Sequence, residues 1–318
     1  FSATGRSAIA YRVSYGIALT VTGPFGDPSE YAEDLTDFAT SAHNIPGRPC
    51  FTVCTNRSEP NSPKPDGIRL TSVRKMVVNP NEWQTRGKKW QDVRTAINKA
   101  KRDGITDVLT TFKEAPFSVQ TQIREISAQW AGKKALPEMG FTLGGVDELI
   151  DSRVRLLYAV DGNGKVLGVT SWLPTYRDGT IIGWTLDFMR HRTDSVNGIM
   201  EFLIARMAER LRDEGNVEFM SLSAAPLAGM GSNESEHEES EVLRHALQMV
   251  ADIMEPAYGF HSLFRFKLKF HPDEEKVYIC YPDAAKLPQI SLAVAQAYVP
   301  SLTPAEAMRF VRTIAPRD

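Results

Sequence analysis

The most informative part of the chain is the run Ile182-Gly183-Trp184-Thr185-Leu186-Asp187-Phe188-Met189-Arg190-His191-Arg192. Its apolar residues predict a buried strand, and its end is a dense polar cluster. Asp187 lies among apolar neighbours, and a buried carboxylate is costly unless it is paired. The run therefore predicts either a structural ion pair at a strand end or part of a functional site. Because an amphipathic helix is predicted from Asn197 onward, the cluster would lie near a helix N-terminus, a common place for chemistry.

The elements predicted around this run follow the order strand, strand, strand, helix, strand. Their ranges are 154–160, 166–173, 180–188, 197–214 and 218–222. This order is the core of an acetyltransferase-like (GNAT) fold. The first part of the chain predicts half of a similar unit, with elements at 8–13, 17–21, 29–43, 50–55 and 68–78. We therefore predict an α/β (α+β) fold of tandem GNAT-like domains, with a first unit at 1–84, a basic connecting helix at 85–104 and a second unit at 105–318.

The bulk composition predicts a folded chain with room for about two domains. Hydrophobic residues make up 42% and charged residues 24% of the 318 residues, so a sizeable core is expected. The net charge of -2 means that any nucleic-acid contact must come from a local patch. No apolar run approaches the length of a transmembrane helix. The chain opens at Phe1 in mid-pattern, so we expect it to be a fragment of a longer protein.

The cysteines and histidines predict neither a disulfide framework nor a metal site. Cys50, Cys54 and Cys280 lie in apolar, strand-like runs, which is typical of small buried side chains in a reducing compartment. The six histidines have no metal-ligand spacing.

A helix predicted over 87–103 has one apolar face and one basic face. The apolar face carries Trp90, Val93, Ile97 and Ala100. The basic residues of the segment are Lys88, Lys89, Arg94, Lys99, Lys101 and Arg102. They indicate either a solvated helix face or a phosphate-binding ridge, whose affinity would depend strongly on salt.

Several runs, spread over nearly the whole chain, resemble one bacterial enzyme family. The central one is the run 186–192 followed by Asn197-Gly198-Ile199-Met200-Glu201-Phe202. The others are Gly23-Pro24-Phe25-Gly26-Asp27-Pro28, Gly87-Lys88-Lys89-Trp90, Ala96-Ile97-Asn98-Lys99-Ala100, Glu138-Met139-Gly140-Phe141-Thr142-Leu143-Gly144, Ser223-Ala224-Ala225-Pro226-Leu227-Ala228-Gly229 and Phe264-Arg265-Phe266-Lys267-Leu268-Lys269-Phe270-His271-Pro272. Together they are similar to the C-terminal catalytic domain of the aminoacyl-phosphatidylglycerol synthases, the phosphatidylglycerol lysyltransferase or multiple peptide resistance factor family.

The resemblance implies a tRNA-dependent aminoacyltransferase with the two-GNAT architecture of that family. The donor would be an aminoacyl-tRNA of the lysyl or alanyl class, and the acceptor would be the glycerol hydroxyl of phosphatidylglycerol or a related anionic lipid. No cofactor is expected, because one ester replaces another. The resemblance further implies an upstream membrane domain in the full-length protein and a location at the cytoplasmic face of the bacterial inner membrane.

The same resemblance implies roles for individual residues. The implied catalytic residues are Asp187, Arg190, Glu255 and Lys269. The implied substrate-binding residues are Lys88, Lys89, Arg94, Lys101, Arg102, Lys267, Glu275 and Tyr278. Asp187 would act as a base or as an ammonium anchor, Arg190 would bind a phosphate or the oxyanion, and Glu255 would be a second carboxylate. Lys267 and Lys269 are two apart on a predicted strand, so they would point to one face and bind phosphate or the oxyanion.

The chain departs from the family after Pro272. The family typically continues with Trp-Glu-Pro-Arg-Tyr, whereas this chain has Glu274-Glu275-Lys276-Val277-Tyr278. Glu275 and Tyr278 match that pattern, and the tryptophan, proline and arginine are missing. The difference bears on the lipid acceptor more than on the fold.

Three other functions stay open at this point. A peptidoglycan-bridge aminoacyltransferase would also use tandem GNAT units and aminoacyl-tRNA but would form an amide, and a non-catalytic module would only bind tRNA or lipid. A CoA-dependent acetyltransferase is disfavoured, because the turn 190–198 has only Gly198 where a glycine-rich turn is expected, and Asp194 would repel phosphate. The apolar segment 287–298 is more typical of core packing than of an acyl groove, and the acidic segment 230–242 predicts a loop that runs into a helix.

Overall fold

The structure is a computed structural model that describes residues 1–20, 23–44, 50–55, 69–132, 144–224, 259–281 and 287–298. Its strands are β1 (Ser7–Ala8), β2 (Tyr11–Ser14), β3 (Ile17–Thr20), β4 (Phe25–Gly26), β5 (Cys50–Thr55), β6 (Arg69–Val78), β7 (Thr106–Thr110), β8 (Arg155–Val160), β9 (Val166–Arg177), β10 (Thr180–His191), β11 (Phe219–Ala224) and β12 (Asp273–Tyr281). Its α-helices are α1 (Tyr31–Asn44), α2 (Gln91–Arg102), α3 (Phe117–Gly132), α4 (Ile199–Glu214), α5 (Phe260–Leu268) and α6 (Leu287–Tyr298).

Most of these strands form one mixed sheet, in the order β2-β3-β5-β12-β6-β11-β10-β9-β8-β7. Its neighbours are antiparallel except for β3–β5 and β10–β11, which are parallel. The strands β8, β9 and β10 form an antiparallel meander, and α4 then connects β10 to β11. The predicted order of strand, strand, strand, helix and strand is confirmed, and with it the tandem GNAT-like α/β fold class.

The strand β12 joins the two ends of the chain. It follows α5 in sequence, yet it pairs with β5 on one side and β6 on the other. The strand β6 in turn pairs with β11, so the described strands of both halves share one sheet. The division into units at 1–84, 85–104 and 105–318 stays a prediction, and β12 is the strand that crosses it.

The sheet separates two hydrophobic clusters. Along β8, Leu157 belongs to the cluster that contains buried residues of α2 and α4, whereas Leu156 belongs to the cluster of α3. This alternation is expected for a strand with both faces covered. On α2, Val93 and Ala100 are buried and Ile97 is partly buried, which confirms the predicted apolar face.

The helix α6 coincides with the apolar segment predicted near the end of the chain. It buries Ile290, Ala293 and Ala297 and packs against β2 and β3. The hydroxyl of Ser14 in β2 donates a hydrogen bond of 2.8 Å to the side-chain oxygen of Gln296. Core packing is therefore the role that the described contacts of α6 support.

Among the helices that the structure describes, none has both the length and the apolar character required to cross a membrane.

The segment that carries Lys267 and Lys269 is helical, so the prediction of a strand there is wrong. The helix α5 spans Phe260–Leu268, and Lys269 is its C-cap. Aromatic and basic residues alternate along it, which is typical of a strand. However, the Phe266 and Phe270 rings lie 5.5 Å apart and contribute to the larger core cluster. Packing therefore overrides the alternating pattern.

Candidate active site

The parallel strands β10 and β11 part where the polar cluster begins. Their ladder ends at Thr185 opposite Ser221, although β10 continues well beyond that pair. On the other side of β10, the register with β9 shifts between Leu186 and Met189, which marks a bulge. A bulge re-aims the side chains it contains. Asp187 lies inside this bulge, at the point where its strand is no longer paired with β11.

The carboxylate of Asp187 is partly buried and has a perturbed affinity for protons. Its Oδ1 atom accepts a hydrogen bond of 3.0 Å from the backbone N–H of Gly144. Burial raises the pKa of Asp187, and this effect outweighs the lowering by the Gly144 N–H; the Glu148 charge raises the pKa further and the Arg190 charge lowers it. Because burial is the largest of these influences, the pKa of Asp187 stays above its ordinary value despite the Arg190 charge. A raised pKa suits a carboxylate that accepts a proton.

The guanidinium group of Arg190 lies close to two aromatic rings. Its central carbon is 3.4 Å from the centroid of the Trp130 ring and 4.7 Å from that of Phe188. One terminal nitrogen donates a hydrogen bond of 3.0 Å to the carbonyl of Met189. Stacking on ring faces fixes the plane of a guanidinium group and leaves its edge for hydrogen bonding. The arrangement therefore holds the cation in place, and its charge acts on the Asp187 carboxylate.

The end of β11 connects Asp187 to α5. Ser223 has a left-handed backbone conformation, with φ of 66°, and its hydroxyl donates to the carbonyl of Leu186, the residue before Asp187. The ammonium of Lys267 donates a hydrogen bond of 3.2 Å to the carbonyl of Ala224. Lys267 is 4% exposed, and burial lowers its pKa to about 8. The structure therefore brings Lys267 to the same strand end as Asp187, in a buried position.

Two ion pairs lie beside this strand end. The ammonium of Lys269 is 2.8 Å from a carboxylate oxygen of Glu201, which lies in the first turn of α4. The carboxylate of Glu275 is 3.4 Å from the ammonium of Lys75. In the sheet, Lys75 is opposite Glu275 on β12 and opposite Ala224 on β11. Lys269 and Glu275 are thus near the strand end, each with a charged partner.

The predicted basic helix forms as α2 and the short 3-10 helix before it, Lys88–Trp90. Some of its cations make structural contacts, and the others face solvent. Arg94 donates to the carbonyls of Thr85 and Gly87, which fixes the start of the helix. Lys99 pairs with Asp103 at 2.8 Å. The side chains that face solvent belong to Lys88, Lys89, Lys101 and Arg102.

The start of the basic helix is attached to the end of α5. A ring nitrogen of His271 is 3.1 Å from the carbonyl oxygen of Lys89. The same imidazole meets the Trp90 ring edge-on, with the ring centroids 4.8 Å apart. The cations at the start of the basic helix therefore lie on a segment that contacts the one carrying Lys267 and Lys269.

Some predicted residues lie outside this description. Glu255 and the acidic segment 230–242 fall outside the described residues. Tyr278 lies in β12, where its backbone is opposite Cys54 and Ser72.

Within the described parts of the chain, no group of three or more His, Cys, Asp or Glu side chains could hold a metal ion.

Four residues of this region were not identified as site residues from the sequence. Gly144 and Ser223 belong to runs that resemble the family, and that was the only signal for them. Trp130 and Lys75 carry no local signal, because their relation to the site arises from contacts between distant segments. The fold, rather than any spacing in the sequence, brings all four to Asp187, Arg190 or their neighbours.

The comparisons with known proteins identify the family. The sequence model described as "Phosphatidylglycerol lysyltransferase, C-terminal" matches residues 1–281. An uncharacterized protein of Corynebacterium glutamicum is 37% identical over 297 residues, which cover 92% of this chain and 36% of that protein. The lysylphosphatidylglycerol biosynthesis bifunctional protein LysX of Rhodococcus jostii is 22% identical over 303 residues, which cover 93% of this chain and 26% of LysX. The chain thus spans about a third or less of these relatives.

A solved structure shows the same fold. L-PGS from Bacillus licheniformis matches with a TM-score of 0.76 and 21% identity, over 94% of this chain and 87% of that one. The resemblance inferred from the sequence motifs is confirmed. The chain belongs to the family of phosphatidylglycerol lysyltransferase C-terminal domains.

Proposed function

We propose that this domain moves an aminoacyl ester from aminoacyl-tRNA to the glycerol hydroxyl of phosphatidylglycerol. The observation that carries the proposal is the setting of Asp187. Its carboxylate is partly exposed at the place where β10 and β11 part, its pKa is raised by burial, and Arg190 lies three residues away. Membership of a family described by lysyl transfer to phosphatidylglycerol supports the same reaction.

The reaction exchanges one ester for another. The glycerol hydroxyl attacks the aminoacyl carbonyl carbon, and its proton passes to the carboxylate of Asp187. The bond between that carbon and the terminal ribose oxygen of the tRNA then breaks, and the ribose oxygen takes the proton from Asp187. A new ester bond to the lipid replaces the old one, so the exchange is close to isoenergetic and needs no cofactor.

The tetrahedral intermediate carries a negative charge that the cations of the site are suited to stabilise. We assign this role first to Arg190, because its guanidinium plane is fixed by Trp130 and Phe188. Lys269 is a second candidate, provided that its ammonium exchanges Glu201 for the substrate. Lys267 and Glu275 would act from the same strand end, and Glu255 keeps its proposed role as a second carboxylate.

The donor tRNA would bind along the solvent-facing cations of the basic helix. A ridge of this kind binds nucleic-acid phosphates with an affinity that falls steeply with salt. Arg94 would support the ridge rather than contact the tRNA, because it donates to Thr85 and Gly87. Since charged tRNA is cytoplasmic, we place the reaction at the cytoplasmic leaflet and propose an upstream membrane domain in the full-length protein.

The test is a transfer assay with a matched pair of variants. Aminoacyl-tRNA, labelled on lysine or on alanine, is supplied with phosphatidylglycerol vesicles, and the label in the organic phase is measured. Asp187→Asn should lower transfer by ~10²-fold or more, because the proton acceptor is lost. Asp194→Asn is the control, since Asp194 lies on the same segment but pairs with Lys165 and Arg192.

The assay also separates the competing functions. The proposal fails if the unmodified protein transfers neither amino acid to lipid. Label that appears in a cell-wall precursor would support the peptidoglycan-bridge reaction instead. Full activity of Asp187→Asn would remove Asp187 from the mechanism.

A further inference from the structure

Two residues that take no direct part in the proposed chemistry contact the two side chains it needs most. Trp130 lies near the end of α3 and touches Arg190. Gly144 begins the next described segment and touches Asp187. Both come from a part of the chain that is far in sequence from β10.

Trp130 offers Arg190 a flat support on one side. The guanidinium carbon lies 3.4 Å from the centroid of the indole ring, and the Phe188 ring lies 4.7 Å away from it. Phe188 is fully buried, and its backbone N–H donates a hydrogen bond of 3.1 Å to the Ser171 hydroxyl, so its ring is a fixed surface. Phe188 belongs to the same strand as Arg190, whereas Trp130 belongs to α3. The Trp130 ring is therefore the contact through which α3 restrains the Arg190 side chain.

Gly144 fits Asp187 so closely that a side chain is excluded. A Cβ atom added at Gly144 would lie 2.0 Å from one carboxylate oxygen of Asp187, far inside van der Waals contact. The backbone N–H of the same residue donates to the other oxygen at 3.0 Å. The hydrogen bond fixes the orientation of the carboxylate, and the absence of a Cβ makes the close approach possible.

We propose that Trp130 and Gly144 are positioning residues, which hold Arg190 and Asp187 in the mutual geometry required for acyl transfer. The inference rests on the proposed function. Neither residue would touch the substrate; each acts through the side chain it contacts. Misplacement of a reacting group by about 1 Å can cost ~10²-fold in rate, so supports of this kind matter for catalysis.

The first experiment distinguishes the effect of losing the Trp130 ring from a general disturbance of α3. Trp130→Leu should lower kcat at least tenfold with a small change in KM for the lipid, whereas Trp130→Phe should keep most of the activity, because it retains an aromatic face. Arg124→Ala is the control: Arg124 lies on the same helix and stacks on Phe112 at 4.9 Å, so its loss should leave kcat unchanged.

A rescue experiment shows whether Trp130 acts through Arg190. Arg190→Ala should regain transfer activity when guanidinium ion is added, because the stack can hold the free cation. The double variant Trp130→Leu with Arg190→Ala should not regain it. Equal rescue in both backgrounds, or a Trp130→Leu effect that is the same with and without Arg190, would overturn the role of Trp130.

Gly144→Ala tests the second contact through the pH profile. The new Cβ would push the Asp187 carboxylate away from the backbone N–H at this position. Loss of that hydrogen bond removes an influence that lowers the pKa of Asp187, so the acid limb of the rate profile should move to higher pH. A fall in rate with an unmoved acid limb would overturn the role of Gly144.

An NMR measurement on the free protein tests the contact between Trp130 and Arg190 without an activity assay. Failure of this inference can therefore be distinguished from failure of the proposed function. The side-chain Nε–H resonance of Arg190 should carry a ring-current shift that Trp130→Leu reduces to the part due to Phe188 and that Arg124→Ala leaves unchanged. If the unmodified protein shows no transfer but the shift is present, the proposed function fails while the contact stands. If the shift is absent from the unmodified protein, the positioning role of Trp130 is refuted whatever the activity.

Discussion

Replacement of Lys267 by methionine should remove a pH-dependent cost of folding. The side chain of Lys267 is buried, with 4% of the residue exposed, and burial lowers its pKa from the ordinary value of 10.5 to about 8. Since a shift of one pKa unit corresponds to about 1.4 kcal/mol, the charged ammonium costs the folded state about 3 kcal/mol. Methionine has a similar length and no charge, so it should occupy the same space.

The sign of the effect follows from proton binding in the two states. Below pH 8 Lys267 is protonated in both the folded and the unfolded chain, and the folded state bears the full cost. Between about pH 8 and 10.5 the unfolded chain binds more protons, so the stability contributed by this residue rises with pH. Above 10.5 the cost is gone. In the methionine variant no such rise can occur at this position.

Urea denaturation of the two proteins at pH 7 and pH 10 measures the effect. We compare the free energy of unfolding of Lys267→Met with that of the unmodified protein. The difference, variant minus unmodified protein, should be larger at pH 7 than at pH 10 by about 2.5 kcal/mol, because the charged lysine costs the folded state most at pH 7. The lost hydrogen bond to Ala224 lowers the variant's stability by ~1 to 3 kcal/mol, in a way that depends far less on pH. Lys269→Met is the control, because its side chain is 37% exposed and pairs with Glu201. A difference between Lys267→Met and the unmodified protein that is equal at both pH values would refute the reasoning.

Three further predictions concern the site and its supports. Since burial raises the pKa of Asp187, transfer should fall as the pH drops through a value above the ordinary carboxyl value of 3.8, and a rate profile with its acid limb at or below 3.8 would contradict this. Joint replacement of Lys101 and Arg102 by alanine should weaken tRNA binding and reduce the slope of log affinity against log salt by roughly 1 to 2, as measured by filter binding at several salt concentrations. Gly183→Ala should destabilise the protein by about 1 to 3 kcal/mol, because the new Cβ would lie 2.4 Å from the buried Phe219 ring; an unchanged denaturation midpoint would contradict that packing.

The sequence predicts the part of the fold that depends on local patterns. The strand–turn–strand at 154–173 and the helix that became α4 show regular apolar spacing, and the structure has them within a few residues. The strand β7 (Thr106–Thr110) was not predicted, because it is a short, partly exposed edge strand without a clear pattern. The first half of β12 was missed for a related reason. Its residues Asp273 to Lys276 are charged, and only pairing with β6 makes them a strand.

The candidate site was predicted where a residue carries its own signal. Asp187 and Arg190 stand out because they are charged residues in an apolar strand. The sequence could not predict that Trp130 stacks on Arg190 or that Gly144 donates to Asp187, because those contacts join segments separated by loops. Nor could it show that Lys267 is buried, since the alternating pattern around it predicts a strand with both lysines on one face.

The position of β12 shows how both ends of the chain contribute to the candidate site. A protein made of 105–224 alone would contain Asp187 and Arg190, together with the Trp130 and Gly144 contacts. It would lack α5 and β12, and with them Lys267, Lys269 and Glu275. Because β12 is held between β5 and β6, the first part of the sheet fixes where α5 lies, and α5 in turn places Lys267 at the end of β11. Under the proposed function, the strand β10 supplies the proton acceptor Asp187. The first part of the sheet, through β12, fixes the helix α5, which carries Lys267 to the same site.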